Sequence, residues 1–165
     1  MSSYLPYHPV DGSYVQIPRS IYSQYYDEEM PGLPVPCRKY HISSDVGSAR
    51  TIANLVLPYL VQRQIHHKVV SNFNFLIEQT IGHEYDQAGK FITVYMDSRV
   101  DQQNEIMETL NRRFEETSGI RPCESWPTRR RRKGEENVTR EYEEPVYRNR
   151  QGVFIFGGFI CDPLN

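Results

Sequence analysis

The chain has little of what marks several protein classes. It holds three cysteines, at positions 37, 123 and 161, and no CxxC pair. That spacing excludes a zinc knuckle and a dense disulfide framework, and it fits the reducing cytoplasm. No apolar run approaches the roughly 18 residues that a membrane-spanning helix needs. The opening MSSYLPYHPV lacks the basic and apolar regions of a secretory signal peptide, so a cytoplasmic protein is expected. Charge of one sign is also scarce. The formal net charge is −2, so no global field draws the chain to nucleic acid or to a membrane.

What is present suits one domain with an appendage. The chain has 165 residues, and its 38% hydrophobic content is enough for a single core. Residues 1–36 read as an extended arm with prolines at 6, 9, 18, 31, 34 and 36 and no sustained apolar period. The tyrosines scattered through it would also suit a strand added to a sheet edge. The folded domain is expected over 37–165. Residues 37–43 read as a strand, followed by a helix marked by Ile52, Leu55, Val56, Tyr59 and Leu60, which Pro58 should kink or break. HHKVVS (66–71) reads as a strand, 72–81 as a short helix and KFITVYM (90–96) as the clearest strand. Residues 101–117 form the clearest helix, with Ile106, Leu110 and Phe114 on its apolar face. A polar insert at about 119–145 carries the basic run Arg129–Lys133 and reads first as a solvated loop, with a peptide-binding basic edge or a targeting signal as the sharper readings. EPVYRN and GVFIFGGF close the chain as a hairpin turning at Gln151-Gly152. The fold class is α+β, a small mixed or antiparallel sheet with helices packed on it.

Chemistry is sparse, and most of it lies on or beside the expected strands. In PCRKYHISS (36–44), a strand's period of two puts Lys39 and His41 on one face. Lys68, Lys90 and Arg148 sit on or beside other strands, although lysine is normally depleted there. Taken singly, each is an ordinary strand-end charge or a structural histidine. They become a site only if the sheet gathers them on one face.

These residues carry a resemblance. KYHIS before a helix, then HKVV, then GKFITVY, then a helix, then VYRNRQGVFIFGGF resembles the phosphothreonine/phosphoserine lyases over residues 37–159. One branch is the lyase domain of class III and IV lanthipeptide synthetases. The other comprises bacterial effector lyases that inactivate host MAP kinases. The order of motifs carries the resemblance, since K-x-H alone is a weak signal.

The resemblance implies a lyase-like fold and β-elimination of phosphate from phosphoserine or phosphothreonine, leaving dehydroalanine or dehydrobutyrine. It implies Lys68 as the base, His41 as the general acid, and Lys39, Lys90 and Arg148 as the phosphate-binding cations. The chemistry calls for no metal and no organic cofactor. A lysine acts as a base only when neutral, against an ordinary pKa of about 10.4, and neighbouring cations push that value down. The same cations would hold a phosphate of about −1.5 to −2 charge. That dianion would in turn raise the pKa of His41, so substrate binding helps to set its protonation. The stretch before Lys90, SNFNFLIEQTIGHEYDQA, departs from the family in holding no Lys or Arg. His83 is its candidate substitute.

The favoured expectation is a free-standing lyase in lanthipeptide-type peptide maturation. Its partners would be a phosphorylated peptide substrate and a separate kinase and cyclase, with no nucleic acid and no membrane. One alternative is an effector-type lyase acting on a phosphothreonine of a host MAP kinase. The N-terminal arm lacks the basic-then-aliphatic docking motif of such effectors. Another alternative is a non-catalytic scaffold of the same fold that binds a phosphopeptide or leader. Nucleic-acid binding through the arginine run is the weakest reading, because Glu124, Glu135 and Glu136 flank it.

Overall fold

A computed structural model describes residues 14–27, 37–81, 87–96, 100–129, 134 and 141–161. Much of the arm (1–13 and 28–36), His83 and most of the basic run (130–133) lie outside the described residues. The elements are β1 (Tyr14–Gln16), β2 (Tyr22–Tyr25), β3 (Cys37–Ile42), α1 (Ala49–Gln62), β4 (His66–Val70), α2 (Phe73–Ile81), β5 (Ile92–Met96), α3 (Val100–Glu116) and β6 (Ile155–Cys161). The six strands form one sheet in the order β1-β2-β4-β5-β3-β6, every pair antiparallel. The fold is α+β, as the element order predicts.

The two faces of the sheet differ because side chains alternate along each strand. Tyr40 and Ile42 of β3, Ile92, Val94 and Met96 of β5, and Val69 of β4 share one face by register. They belong to a single core with Ile52, Val56 and Leu60 of α1 and Ile106, Leu110 and Phe114 of α3. The opposite face carries Lys39 and His41 of β3, Thr93 of β5 and Lys68 of β4. Helix α2 starts at Asn72, whose Oδ1 accepts the Phe75 N–H at 3.0 Å, a side-chain cap. Near its end, Gln79 donates to the Lys90 carbonyl at 2.9 Å and to the Tyr22 hydroxyl at 3.2 Å. Tyr22 in turn donates to the Lys90 carbonyl at 2.6 Å.

Three sequence expectations need correcting. The folded domain does not start at Cys37: the expected arm supplies β1 and β2 at the sheet edge, the strand addition its tyrosines suit, and β2 pairs with β4 from Tyr22↔Val70 to Gln24↔Lys68. Pro58 does not break α1. It lies on the exposed side of a helix whose buried stripe runs past it to Leu60. The insert is not a solvated loop at its ends: Ile120, Cys123 and Glu143 are buried. The Cys123 N–H donates to Ser43 Oγ at 2.9 Å, and the Glu143 N–H donates to the Pro127 carbonyl at 2.8 Å. Gly89 lets the insert approach, since a Cβ there would lie 2.6 Å from the Ser125 carbonyl oxygen.

Candidate functional site

Register builds the site. His41 lies opposite Thr93, Thr93 opposite Lys68, and Lys68 opposite Gln24, giving one row across β3, β5, β4 and β2. Directly opposed residues project from the same face. Two strand spacings of about 4.8 Å put the His41 and Lys68 backbones roughly 10 Å apart. The next row holds Lys39, Tyr95 and His66. Lys39 Nζ lies 5.7 Å from the Tyr95 ring centre, and Lys68 Nζ lies 4.5 Å from that of Tyr22, so aromatic faces fix both ammonium groups.

His41 is buried between two partners. Its Nε2 is 3.3 Å from Glu143 Oε1, and its Nδ1 is 3.1 Å from the Thr93 hydroxyl. Burial pushes its pKa down to about 4; Glu143 opposes this, and the Lys90 and Lys39 charges add to it. For Glu143, burial raises the carboxyl pKa. The His41 contact, Lys90 and Lys39 outweigh it, and the net direction is down. At neutral pH we therefore assign a neutral His41 donating Nε2–H to an ionised Glu143. Nδ1 then accepts from Thr93. Glu143 Oε2 is buried and has no hydrogen-bond partner among the described residues, and the charges of Lys90 and Lys39 act on the carboxylate.

Glu143 reaches this position on a strap. The Arg129 N–H donates to the Glu141 carbonyl at 2.8 Å, and the Gly157 N–H donates to the Glu144 carbonyl at 2.9 Å. Pro145 bridges to Phe156 of β6. Gly157 makes room for the β3 backbone. It has φ +102°, and a Cβ there would meet the Lys39 carbonyl oxygen at 2.7 Å and Glu143 Oε2 at 3.6 Å. The bulge in β6 opposite Lys39 and Tyr40 depends on that freedom.

The other expected cations differ in placement. Lys90 precedes β5 rather than opening it, and it is buried, with its charge felt by both His41 and Glu143. Arg148 is exposed at the rim, its guanidinium 5.8 Å from the Trp126 ring. Trp126 meets Phe156 edge-on at 5.4 Å, and Phe156 is the β6 neighbour of His41.

A family profile described as the RamC N-terminal domain matches residues 21–121, more than half of the chain. The chain belongs to the RamC N-terminal domain family. This is the lyase-domain family of class III lanthipeptide synthetases, the first branch that the sequence motifs resemble. Among solved structures, the chain is similar to OspF of Shigella flexneri, a type III effector and phosphothreonine lyase. The TM-score is 0.54 at 13% identity, covering 92% of this chain and 70% of that one, a likeness of fold. No curated protein sequence matches.

In this RamC-type domain the matched region contains Lys39, His41, Lys68 and Lys90, while Glu143 and Arg148 lie beyond it. Sequence reasoning missed Glu143 and Thr93. Glu143 stands in EYEE, where nothing local separates one buried acid from its exposed neighbours Glu141 and Glu144. Thr93 lies inside GKFITVY, and only the pairing register reveals that it stands between His41 and Lys68.

A cavity of about 790 Å³ opens on the Lys68 side, with Gln16, Arg19, Tyr22, Phe75 and Gln87 also in its wall. Lys39, His41 and Lys90 do not line it. Among the described residues, no group of three His, Cys, Asp or Glu is placed to hold a metal ion, and no helix is long and apolar enough to cross a membrane.

Proposed function

We propose that the chain is a phosphoserine/phosphothreonine lyase acting on a phosphorylated peptide in lanthipeptide-type maturation. One observation carries the reading: the row of His41, Thr93 and Lys68 on the polar face, with Lys39 in the adjacent row and the Lys90 charge acting on His41. Membership in the RamC lyase-domain family supports it.

In this reading, neutral Lys68 takes the α-proton of the phosphorylated residue. The C–H electron pair becomes the Cα=Cβ double bond, the Cβ–O bond breaks, and its electron pair leaves on phosphate. Protonated His41 gives its proton to the departing oxygen. Lys39 and Lys90 supply positive charge where negative charge develops, and Arg148 contributes a fork for phosphate oxygens at the rim. Glu143 is a positioning residue. It holds Nε2 and leaves Nδ1, the nitrogen on the Lys68 side, for the ester oxygen once the Thr93 hydroxyl releases it. A carboxylate on one side and a phosphate dianion on the other both favour the imidazolium that the acid step requires.

The test is mass spectrometry of phosphoserine and phosphothreonine peptides incubated with the chain and a trapping thiol. A product lighter by phosphoric acid that adds the thiol is expected. A product that regains its hydroxyl would mean hydrolysis and would overturn the reading. The covered position of His41 favours a second reading, a phosphopeptide-binding scaffold. Peptides that bind but leave unchanged would support that reading instead.

A further inference from the structure

The stretch from Ser71 to Gly89 contains no Lys or Arg, and Lys90, which precedes β5, does not line the Lys68 cavity. The β1–β2 hairpin does. Its turn runs Ile17-Pro18-Arg19-Ser20, closed by the Ser20 N–H on the Ile17 carbonyl at 3.2 Å. Arg19 holds φ +59°, in the place where such a turn favours glycine or asparagine, at a cost of roughly 1 kcal/mol. The Gln16 side-chain amide ties the turn together. It donates to the carbonyls of Ile17, Ser20 and Tyr22 at 3.2, 2.7 and 3.1 Å. A rigid turn thus presents an arginine to the wall of the cavity that contains Lys68. Among the described residues no carboxylate pairs with it.

We infer that Arg19 is a substrate-specificity residue that binds an acidic side chain flanking the phosphorylated residue. For the orientation of the peptide this rests on the phosphate-binding half of the proposed function, not on its elimination step. Strand order supplies the argument. From Lys68, the sheet continues through Thr93 to His41 and Lys39 on one side, and through β2 to the β1–β2 hairpin on the other. A phosphate directed toward His41 leaves the peptide flank over the hairpin. There, the exposed Arg19 at the cavity wall offers a guanidinium that recognises a carboxylate through paired hydrogen bonds.

The test measures binding, so it does not depend on turnover. Two phosphopeptides are compared that differ only in an Asp or an Ala beside the phosphorylated residue. Their Kd values are measured for the whole chain and for Arg19→Gly, together with Tm. The wild type should prefer the acidic peptide about three- to tenfold. Arg19→Gly should erase that preference and leave the Ala peptide within about twofold, with Tm unchanged or raised, because glycine relieves the backbone. Equal weakening of both peptides, no preference in the wild type, or a lowered Tm with general loss of binding would each overturn the inference. Binding that behaves as stated without elimination would refute the lyase reading and leave this assignment standing.

Discussion

The two ends of the polar face meet solvent differently. At the β2–β4 end, Lys68 and Tyr22 stand in the wall of a cavity of about 790 Å³. At the β3–β6 end, His41 and Lys90 are buried and Glu143 closes over the ring. One end is an open cavity beside Lys68. The other keeps opposite charges in a dry setting, where each Coulomb interaction is stronger than in water. Elimination of phosphate asks for both. The α-proton must be reached along a bulky chain, while charge on the leaving oxygen gains most from cations that need not reorganise.

The sharpest way to break the comparison is at the open end. Lys68→Ala should lower elimination by about 10²–10⁴-fold, the usual worth of a general base, while phosphopeptide affinity by calorimetry stays within a few fold. Turnover within about tenfold of the wild type would remove Lys68 from the mechanism.

Acid should loosen the protein next, and not at the covered end alone. His41 and His67 are both brought down to about 4, chiefly by burial. His67 is held neutral, with Nδ1 donating to the Ile65 carbonyl at 2.8 Å and Nε2 accepting from Tyr14 at 2.8 Å. A depressed histidine pKa means that the unfolded chain binds more protons between about pH 4 and 6.5. The stability is therefore present above 6.5 and is lost as pH falls toward 4. Each histidine is worth on the order of 3 kcal/mol across that window. Thermal unfolding should show Tm dropping there, and His67→Gln should flatten the drop. A Tm independent of pH from 6.5 to 4 would contradict the assignment of two neutral buried rings.

Gly157→Ala attacks the covered end through the backbone. The φ of +102° and the 2.7 Å approach to the Lys39 carbonyl leave no room for a methyl group. A loss of about 2 kcal/mol is expected from denaturant unfolding. Glu143→Gln keeps the shape of the covered end but removes its charge. We expect kcat to fall about tenfold with KM little changed. The alkaline limb of the kcat profile should also move to lower pH, because His41 loses the carboxylate that favours its protonated form. A Glu143 with only a structural role would leave that limb in place. The smallest effect belongs to the rim. Arg148→Ala should weaken a phosphorylated peptide relative to its unphosphorylated form by about three- to fivefold in direct binding.

Much of the fold is legible from local signals. Periodicity marks α1, α2 and α3, and β-branched and aromatic runs mark β3 to β6. These elements are continuous in sequence and pack by their own apolar faces. β1 and β2 are not legible in this way. They are three and four residues long, sit among prolines, and become strands only because β4 offers them a partner. The site divides along the same line. Lys39 and His41 share a face by simple alternation, and motif order picks out Lys68, Lys90 and Arg148. Glu143 carries no such mark. Its burial depends on a strap folding back onto β6, a long-range fit that EYEE does not encode by itself.

The central claim is that the open end takes a proton from carbon while the covered end releases phosphate. It is tested most directly with a phosphopeptide carrying deuterium at the α-carbon of its phosphorylated residue, followed by mass spectrometry with the wild type and Lys68→Ala. The account predicts a dehydrated product that has lost the deuterium, slower turnover than the protiated peptide, and product from Lys68→Ala slowed by about a hundredfold or more. A dephosphorylated product that keeps its deuterium and carries a hydroxyl would contradict it.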